Sequence, residues 1–344
     1  MKLQPYILGR GASALAFSRC LALLPTVDRE LDENVAAPIQ LEREASLAQA
    51  VAQGPGGAAS AILIVANPHG LHAARLCEAQ EAGLRGAICE KPVAVSLDEI
   101  ARLEREVRMP VAVCHGYRMM WGPQTMREEI AAGRIGELHS IEGHYLQSST
   151  AARALSGSGK PGWKNDVALS GSYDCLIDLA PHWADLALFL SGGAGTGGAR
   201  AKLLSRHLSY ANAEAPHRDS GVMIDFEIEA PSRILARSTI SKNSHGSGND
   251  LAIRVNGARG SLAWSFCRPD EIERGEGSEL HLIRRKDARY GIEASPFHGA
   301  GWIEGYFEVT RRFLRSMAGL PAGPAGAAYP TLEESARCMR LLLG

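Results

Sequence analysis

In the first third of the chain, apolar residues fall in short unbroken runs. Pro5-Tyr6-Ile7-Leu8, Ala61-Ile62-Leu63-Ile64-Val65-Ala66, Gly86-Ala87-Ile88-Cys89 and Val111-Ala112-Val113-Cys114 show no polar alternation. Runs of this kind suit strands buried on both faces of a parallel sheet. Ala37 to Leu41 is a weaker strand candidate. Between the runs, helical spacing covers Leu15 to Leu24, the stretch through Leu47 and Val51, the stretch from His72 through Glu81, and Leu97 to Val107. Ser96 with Glu99 three residues on forms a capping-box pattern. Strands alternating with helices of this length predict a doubly wound parallel sheet.

After Trp121 the rhythm changes. A helix is predicted from Gln124 to Ala132, then a strand from Leu138 to Gln147. A loop rich in serine, glycine and proline runs from Ser148 to Gly162, and a helix from Pro181 to Leu190. Strand-like runs follow at Ala201 to Tyr210, Val222 to Glu229, Ile234 to Ile240, Leu251 to Val255, Ser261 to Phe266 and Leu280 to Arg284. Helices from Ile303 to Met317 and Leu332 to Leu342 close the chain. Strands following strands indicate an α+β second half. The expected division is a domain over 1–121 and another over 122–344.

The chemistry gathers where apolar runs stop. Gly9-Arg10-Gly11-Ala12-Ser13-Ala14 stands between the first strand and first helix. There, Gly9 permits a tight turn, Gly11 lets a pyrophosphate approach the backbone, and Ala14 allows close helix packing. Glu42-Arg43-Glu44 ends the second strand. An acid there accepts from an adenosine ribose and favours NAD, whereas a base accommodates the phosphate of NADP. These residues also fit the solvated start of a helix. Asn67, His69 and His72 follow the third strand. Glu90-Lys91-Pro92 ends the fourth, putting an amine at the carboxyl edge where open α/β sheets bind ligands. Tyr117-Arg118 follows the fifth. Further on, Asp178-Leu179-Ala180-Pro181-His182-Trp183-Ala184-Asp185 opens a helix, with Pro181 suited to its first position. Asp178 and His182 can face one cavity there, with Asp185 spaced to orient the imidazole.

Composition narrows the function classes. The chain has 344 residues and a formal net charge of −1, which gives no general attraction to nucleic acid or anionic membrane. No apolar run approaches the roughly 20 residues of a bilayer span. The opening Met1-Lys2-Leu3-Gln4-Pro5-Tyr6 passes into a strand without the pattern of a signal peptide. Seven cysteines are scattered without a Cys-x-x-Cys pair, so no zinc site is indicated and reduced thiols in a cytoplasmic protein are expected.

In order and spacing these motifs resemble the Gfo/Idh/MocA family of sugar and polyol oxidoreductases. The glycine loop, Asn67-Pro68 with His72, Glu90-Lys91-Pro92, Tyr117-Arg118, the stretch from Ile130 to Leu138 and the stretch from Gly171 to Asp185 carry the likeness, as does Gly301 to Phe313. It departs where Ala180-Pro181 displaces the family's glycine and Ser170-Gly171 replaces a double glycine. The resemblance implies a Rossmann domain followed by an α+β domain built on a large, mostly antiparallel open sheet. It implies hydride transfer between NAD, or NADP, and a secondary alcohol or ketone of a sugar, sugar derivative or cyclitol. Lys91, Asp178 and His182 fall on its catalytic positions. Gly9 to Ala14, Glu42, Arg43, Asn67, His69, His72, Glu90 and Lys91 become cofactor contacts. Tyr117, Arg118, Trp163 and Lys164 join the catalytic three around the substrate. A homo-dimer or homo-tetramer and no metal are expected. The alternatives are a non-catalytic dinucleotide- or sugar-binding regulator of the same fold, or a biosynthetic keto-sugar or imine reductase.

Overall fold

The structure, a computed structural model, describes residues 2–42, 46–156, 162–192, 200–211, 215–229, 232–286, 302–322, 326 and 328–344. The chain forms two compact units, 1–116 with 303–339, and 117–302 with 340–344. In the first unit the chain runs through β1 (Gln4–Leu8), α1 (Ala12–Val27), α2 (Arg29–Asp32), β2 (Ile39–Leu41), α3 (Leu47–Gln53), β3 (Ala61–Val65), α4 (His72–Glu81), β4 (Gly86–Glu90), α5 (Leu97–Glu106) and β5 (Val111–Cys114). The strands form a wholly parallel sheet in the order β2-β1-β3-β4-β5. Every residue of β1, β3, β4 and β5 is buried, which is why their sequences do not alternate. Ser96 caps α5 as its spacing predicts: its Oγ accepts from the Glu99 amide at 3.2 Å, and Glu99 Oε2 accepts from the Val95 amide at 2.7 Å.

The second unit holds α6 (Trp121–Ala131), β6 (Leu138–Leu146), α7 (Ser149–Ser156), α8 (Val167–Ser170), α9 (Cys175–Asp178), α10 (Ala180–Leu190) and β7 to β13. Those strands are β7 (Arg200–Ser209), β8 (Gly221–Glu229), β9 (Arg233–Ser241), β10 (Asp250–Gly257), β11 (Gly260–Ser265), β12 (Glu271–Glu276) and β13 (Glu279–Arg284). They build an eight-stranded sheet in the order β13-β12-β11-β10-β6-β9-β8-β7. Only β6 and β9 pair in parallel. α10 packs on β6, β9 and β10. β9 shows the consequence in its sequence, with Ile234, Ala236, Ser238 and Ile240 buried and the residues between them turned out. On the outward side Leu204, Met223 and Leu235 are exposed.

Three expectations change. The loop predicted from Ser148 to Gly162 contains α7, because Ala151, Ala152 and Leu155 have helical spacing that the flanking serines and glycines obscure. β12 is a strand despite its charge, since ladders to β11 and β13 decide it rather than propensity. The segment expected to belong with 122–344 divides, and 303–339 packs with the first unit.

That last difference has an electrostatic basis. α11 (Trp302–Ala318) precedes the closing α12 (Leu332–Leu343). Arg315 Nη1 donates to Asp28 Oδ1 at 2.6 Å and its Nη2 to Glu30 Oε2 at 2.6 Å. Arg311 donates to Asp28 Oδ2 and, at 2.9 Å, to Glu308 Oε2, which also accepts from Arg312 Nε at 3.0 Å. Asp28, Glu308, Arg311, Arg312 and Arg315 are all buried. Removing one member strands the opposite charges away from water. Asp28→Ala is therefore expected to lower the stability of the protein by about 3 kcal/mol, read from urea unfolding.

Candidate active site

The first unit presents its glycine loop at the carboxyl edge of the sheet, between β1 and α1. Gly9 has φ +129°, and a Cβ on it would lie 2.2 Å from the Ala66 carbonyl oxygen. The residue is thus required twice, by its left-handed backbone and by the close pass of β3. Gly11 differs: a Cβ there meets nothing within 4 Å. It caps α1 with no side chain of its own, and so leaves the first helical amides uncapped. Gln40 holds the loop from below, its Nε2 donating to the Ile7 and Gly9 carbonyls at 2.9 and 2.7 Å. Ala14 is buried, and Glu42, just after β2, pairs with Arg10 on the exposed rim. Arg43 lies outside the described residues.

Asn67 follows β3, and its amide Oδ1 is buried without a hydrogen-bond partner among the described residues. Open space over Gly11, an uncapped helix start and that amide oxygen suit a dinucleotide. His69 is buried beside His72, their rings 5.8 Å apart. His72 does not fit a cofactor contact. It is wholly buried, with Nδ1 2.7 Å from the Pro92 carbonyl oxygen and Nε2 2.8 Å from that of Asn67. It ties the loops after β3 and β4 together, and burial lowers its pKa.

Lys91 follows β4, and the Lys91–Pro92 peptide is cis. Glu90 Oε2 accepts from the Lys91 amide at 3.1 Å, while its other oxygen accepts from the Tyr306 hydroxyl. Ser13 Oγ lies 3.4 Å from that hydroxyl. Burial raises the pKa of Glu90, against the lowering effect of the Lys91 charge and the Tyr306 hydrogen bond. Tyr306 comes from α11, where Gly305 lets the helix pass close to Gly116: a Cβ would fall 2.3 Å from the Gly116 oxygen. Nothing near Tyr306 in the sequence marks it as part of the glycine-loop site. Gly305 is the only trace of the close approach.

The second unit gathers a separate polar cluster. Asp178 ends α9 and is buried. Its Oδ2 accepts from Lys164 Nζ at 2.6 Å and from Lys242 Nζ at 2.8 Å. Lys242, directly after β9, also pairs with Asp174. Burial works against its charge, but Asp178 and Asp174 outweigh that and raise its pKa. Asp219 anchors α9, accepting from the Asp174 and Leu176 amides at 2.6 and 2.7 Å. His182 stands in the first turn of α10, its ring edge-on to Tyr117 at 4.8 Å and near Tyr145 at 5.7 Å. The phenol oxygens of Tyr117 and Tyr145 are 3.0 Å apart, and Tyr145 donates to Asn249 Oδ1 at 3.0 Å. Tyr117 therefore donates to Tyr145, and burial raises both phenol pKa values. Asp185, expected to orient the imidazole, is an ion-pair partner of the buried Arg118 at 3.1 Å. Trp163 is more than a third exposed and lies under the Lys164 ammonium at 5.8 Å. Lys242, Tyr145 and Asn249 escaped the sequence reading. Lys242 alone carried a signal, being, like Lys91, an amine directly after a strand.

The fold and these two clusters define a two-unit protein with a dinucleotide-type parallel sheet and an open, mostly antiparallel sheet. Residues 124–263 match the family model described as the GFO/IDH/MocA C-terminal domain. Levoglucosan dehydrogenase of Pseudarthrobacter phenanthrenivorans is 27% identical over 257 residues, which span 70% of this chain and 64% of that enzyme. Solved structures share the fold, two of them as follows. An inositol dehydrogenase homolog from Azotobacter vinelandii, complexed with NAD+, has a TM-score of 0.76 and 22% identity, covering 99% of this chain and 93% of its own. Levoglucosan dehydrogenase in complex with NADH and levoglucosan has a TM-score of 0.79 and 21% identity, covering 99% and 95%. Among the described residues, no helix is long and apolar enough to cross a membrane, and no side-chain group could hold a metal ion.

His72 gives a pH test of its structural role. Its lowered pKa means that the unfolded chain binds the proton more readily, so stability is lost as pH falls below about 6.5. The slope from this one group is at most about 1.4 kcal/mol per pH unit. Urea unfolding of the wild type and His72→Gln across mildly acidic pH is expected to show a flatter dependence in the variant.

Proposed function

We propose that the protein is an oxidoreductase that moves a hydride between NAD and a secondary alcohol or ketone of a sugar, sugar derivative or cyclitol. The observation that carries this reading is the pair of features on one sheet edge: an open glycine loop at α1 and an amine, Lys91, ending β4. Kinship with a levoglucosan dehydrogenase and with folds solved with NAD+ and NADH supports the cofactor and the substrate class.

The loop from Gly9 to Ala14 would hold the pyrophosphate, with Glu42 and Arg10 beside the adenosine ribose and Asn67 near the strand ends. Glu42 favours NAD over NADP, since a carboxylate repels a ribose phosphate. The nicotinamide supplies the hydride acceptor or donor. The rest falls to the chain. His182 takes the proton from the reacting hydroxyl, a step that general bases speed by about 10²–10⁴-fold. Lys91 donates a hydrogen bond to that oxygen and stabilises its developing charge. Glu90 holds the Lys91 backbone. Asp178 accepts from a neighbouring hydroxyl, with Lys164, Trp163, Tyr117 and Arg118 shaping the pocket. The presence of Lys91, Asp178 and His182 together weighs for an enzyme over a regulator.

The exposed Leu204, Met223 and Leu235 on the outward sheet face support a homo-oligomer. Cys20, Cys77, Cys89, Cys114, Cys175 and Cys267 form no disulfide, which supports a cytoplasmic setting.

The test mixes the protein with NAD+ or NADP+ and levoglucosan, myo-inositol or pooled sugars, following reduced nicotinamide. Reduction with NAD+ is expected. Lys91→Met is expected to bind the cofactor normally and to lose about 10²-fold or more of its turnover. Undiminished turnover would remove Lys91 from the mechanism. Cofactor binding without reduction across the panel would point to the regulator.

A further inference from the structure

We propose that Lys242 is the positioning residue that keeps Asp178 a charged hydrogen-bond acceptor, and that Lys164 is the partner that yields to substrate. The inference rests on the role given to Asp178 above.

The two lysines meet the same oxygen from opposite kinds of surroundings. Lys242 is 3% exposed and its backbone is fixed on both sides. Its amide donates to the Ser220 carbonyl at 2.9 Å, and its own carbonyl accepts from the Thr150 amide at 2.9 Å. An amine so placed cannot reach water, so it persists only against counter-charge. Asp174 and Asp178 supply that charge directly, and Asp219 and the Cys175 thiol face the same space. Asp219 in turn holds the backbone amides of Asp174 and Leu176, so both carboxylates stand on a segment that Asp219 anchors, α9 and its N-cap.

Lys164 differs in its side chain, although its carbonyl too is held, accepting from the Ser170 hydroxyl at 3.0 Å and from Arg218. Its side chain is 44% exposed, and it extends from a short turn, Trp163–Asn165. An exposed ammonium can exchange its carboxylate for water or for a ligand hydroxyl at little cost. A polyol hydroxyl that donates to Asp178 can therefore take the place of Lys164 while Lys242 stays. The carboxylate remains anionic throughout, and acts as an acceptor rather than as an acid. Lys242 touches no reacting atom in this scheme; it acts through Asp178.

The experiment measures kcat/KM against pH for the wild type, Lys242→Met, Lys242→Arg and Lys164→Met, with cofactor affinity measured alongside. The acid limb carries both the His182 base and the Asp178 carboxylate, and in Lys242→Met it is expected to move up by about one pH unit or more, because a buried carboxylate that loses its cation protonates more easily. Cofactor affinity should not change. Lys242→Arg should restore much of the limb. Lys164→Met should leave the limb in place. An unmoved limb in Lys242→Met, or an equal movement in Lys164→Met, overturns the proposal. Should Lys242→Met fail to fold, Lys242→Met/Asp174→Asn removes one of the stranded carboxylates and is read in the same way. A carboxyl-carbon NMR titration, with Asp178 assigned through Asp178→Asn, needs no substrate. It separates the two ideas. A raised Asp178 midpoint in an inactive protein would sustain the positioning role and end the dehydrogenase reading, and an unmoved midpoint would end the positioning role whatever the activity.

Discussion

Asp28 and Lys242 hold their units together in the same way. Each is a charge taken out of water and kept there by opposite charge at hydrogen-bond distance. Asp28 accepts from Arg311 and Arg315, and so draws α11 onto the end of α1. Lys242 draws α9 onto the end of β9 through Asp174 and Asp178. Desolvation makes such groups costly alone and selective in company, because any arrangement that separates them strands a buried ion. Hydrophobic burial alone would tolerate small shifts of either helix. The ion pairs tolerate few.

In the first unit, the consequence reaches the glycine loop. Docking α11 brings Tyr306 to Glu90 and Ser13, so a residue near the end of the chain completes a site whose other members lie within the first hundred positions. Phe17 stacks edge-on to Tyr306 at 5.1 Å and fixes its ring. Glu90 is then held at both oxygens, and the Lys91 backbone with it. His72 does the same work for the neighbouring loops, clasping two carbonyls from inside the protein. What surrounds the candidate cofactor site is thus largely support: a tyrosine, a glutamate and a histidine that set where the loops stand.

In the second unit, aromatic rings and paired charges gather near the start of α10. Tyr117 and Tyr145 confine the His182 ring and pass their hydroxyl bonds on to Asn249. Asp178 and its two lysines stand at the end of α9, just before that helix. Arg118 makes a further buried pair with Asp185 of α10. A cluster of this composition suits a hydroxyl-rich ligand, which needs flat faces as well as acceptors and donors.

The sequence by itself determined the parallel sheet of the first unit, the change of rhythm after Trp121, the glycine loop and the strand-end positions of Lys91 and Asn67. These are local facts: an unbroken apolar run is a doubly covered strand, and the residue after it stands on the sheet edge. It also carried α10 with His182, through Pro181. It left open whether Glu42 serves the loop or starts a helix, and the structure pairs Glu42 with Arg10 of the loop. Tertiary structure alone decided the rest. Lys242 meets Asp178 across 64 positions, Tyr306 meets Glu90 across 216, and α11 leaves the unit that precedes it for the one that begins the chain. No periodicity encodes such meetings. They depend on which strands pair and which charges can be buried together, and those are properties of the assembled fold.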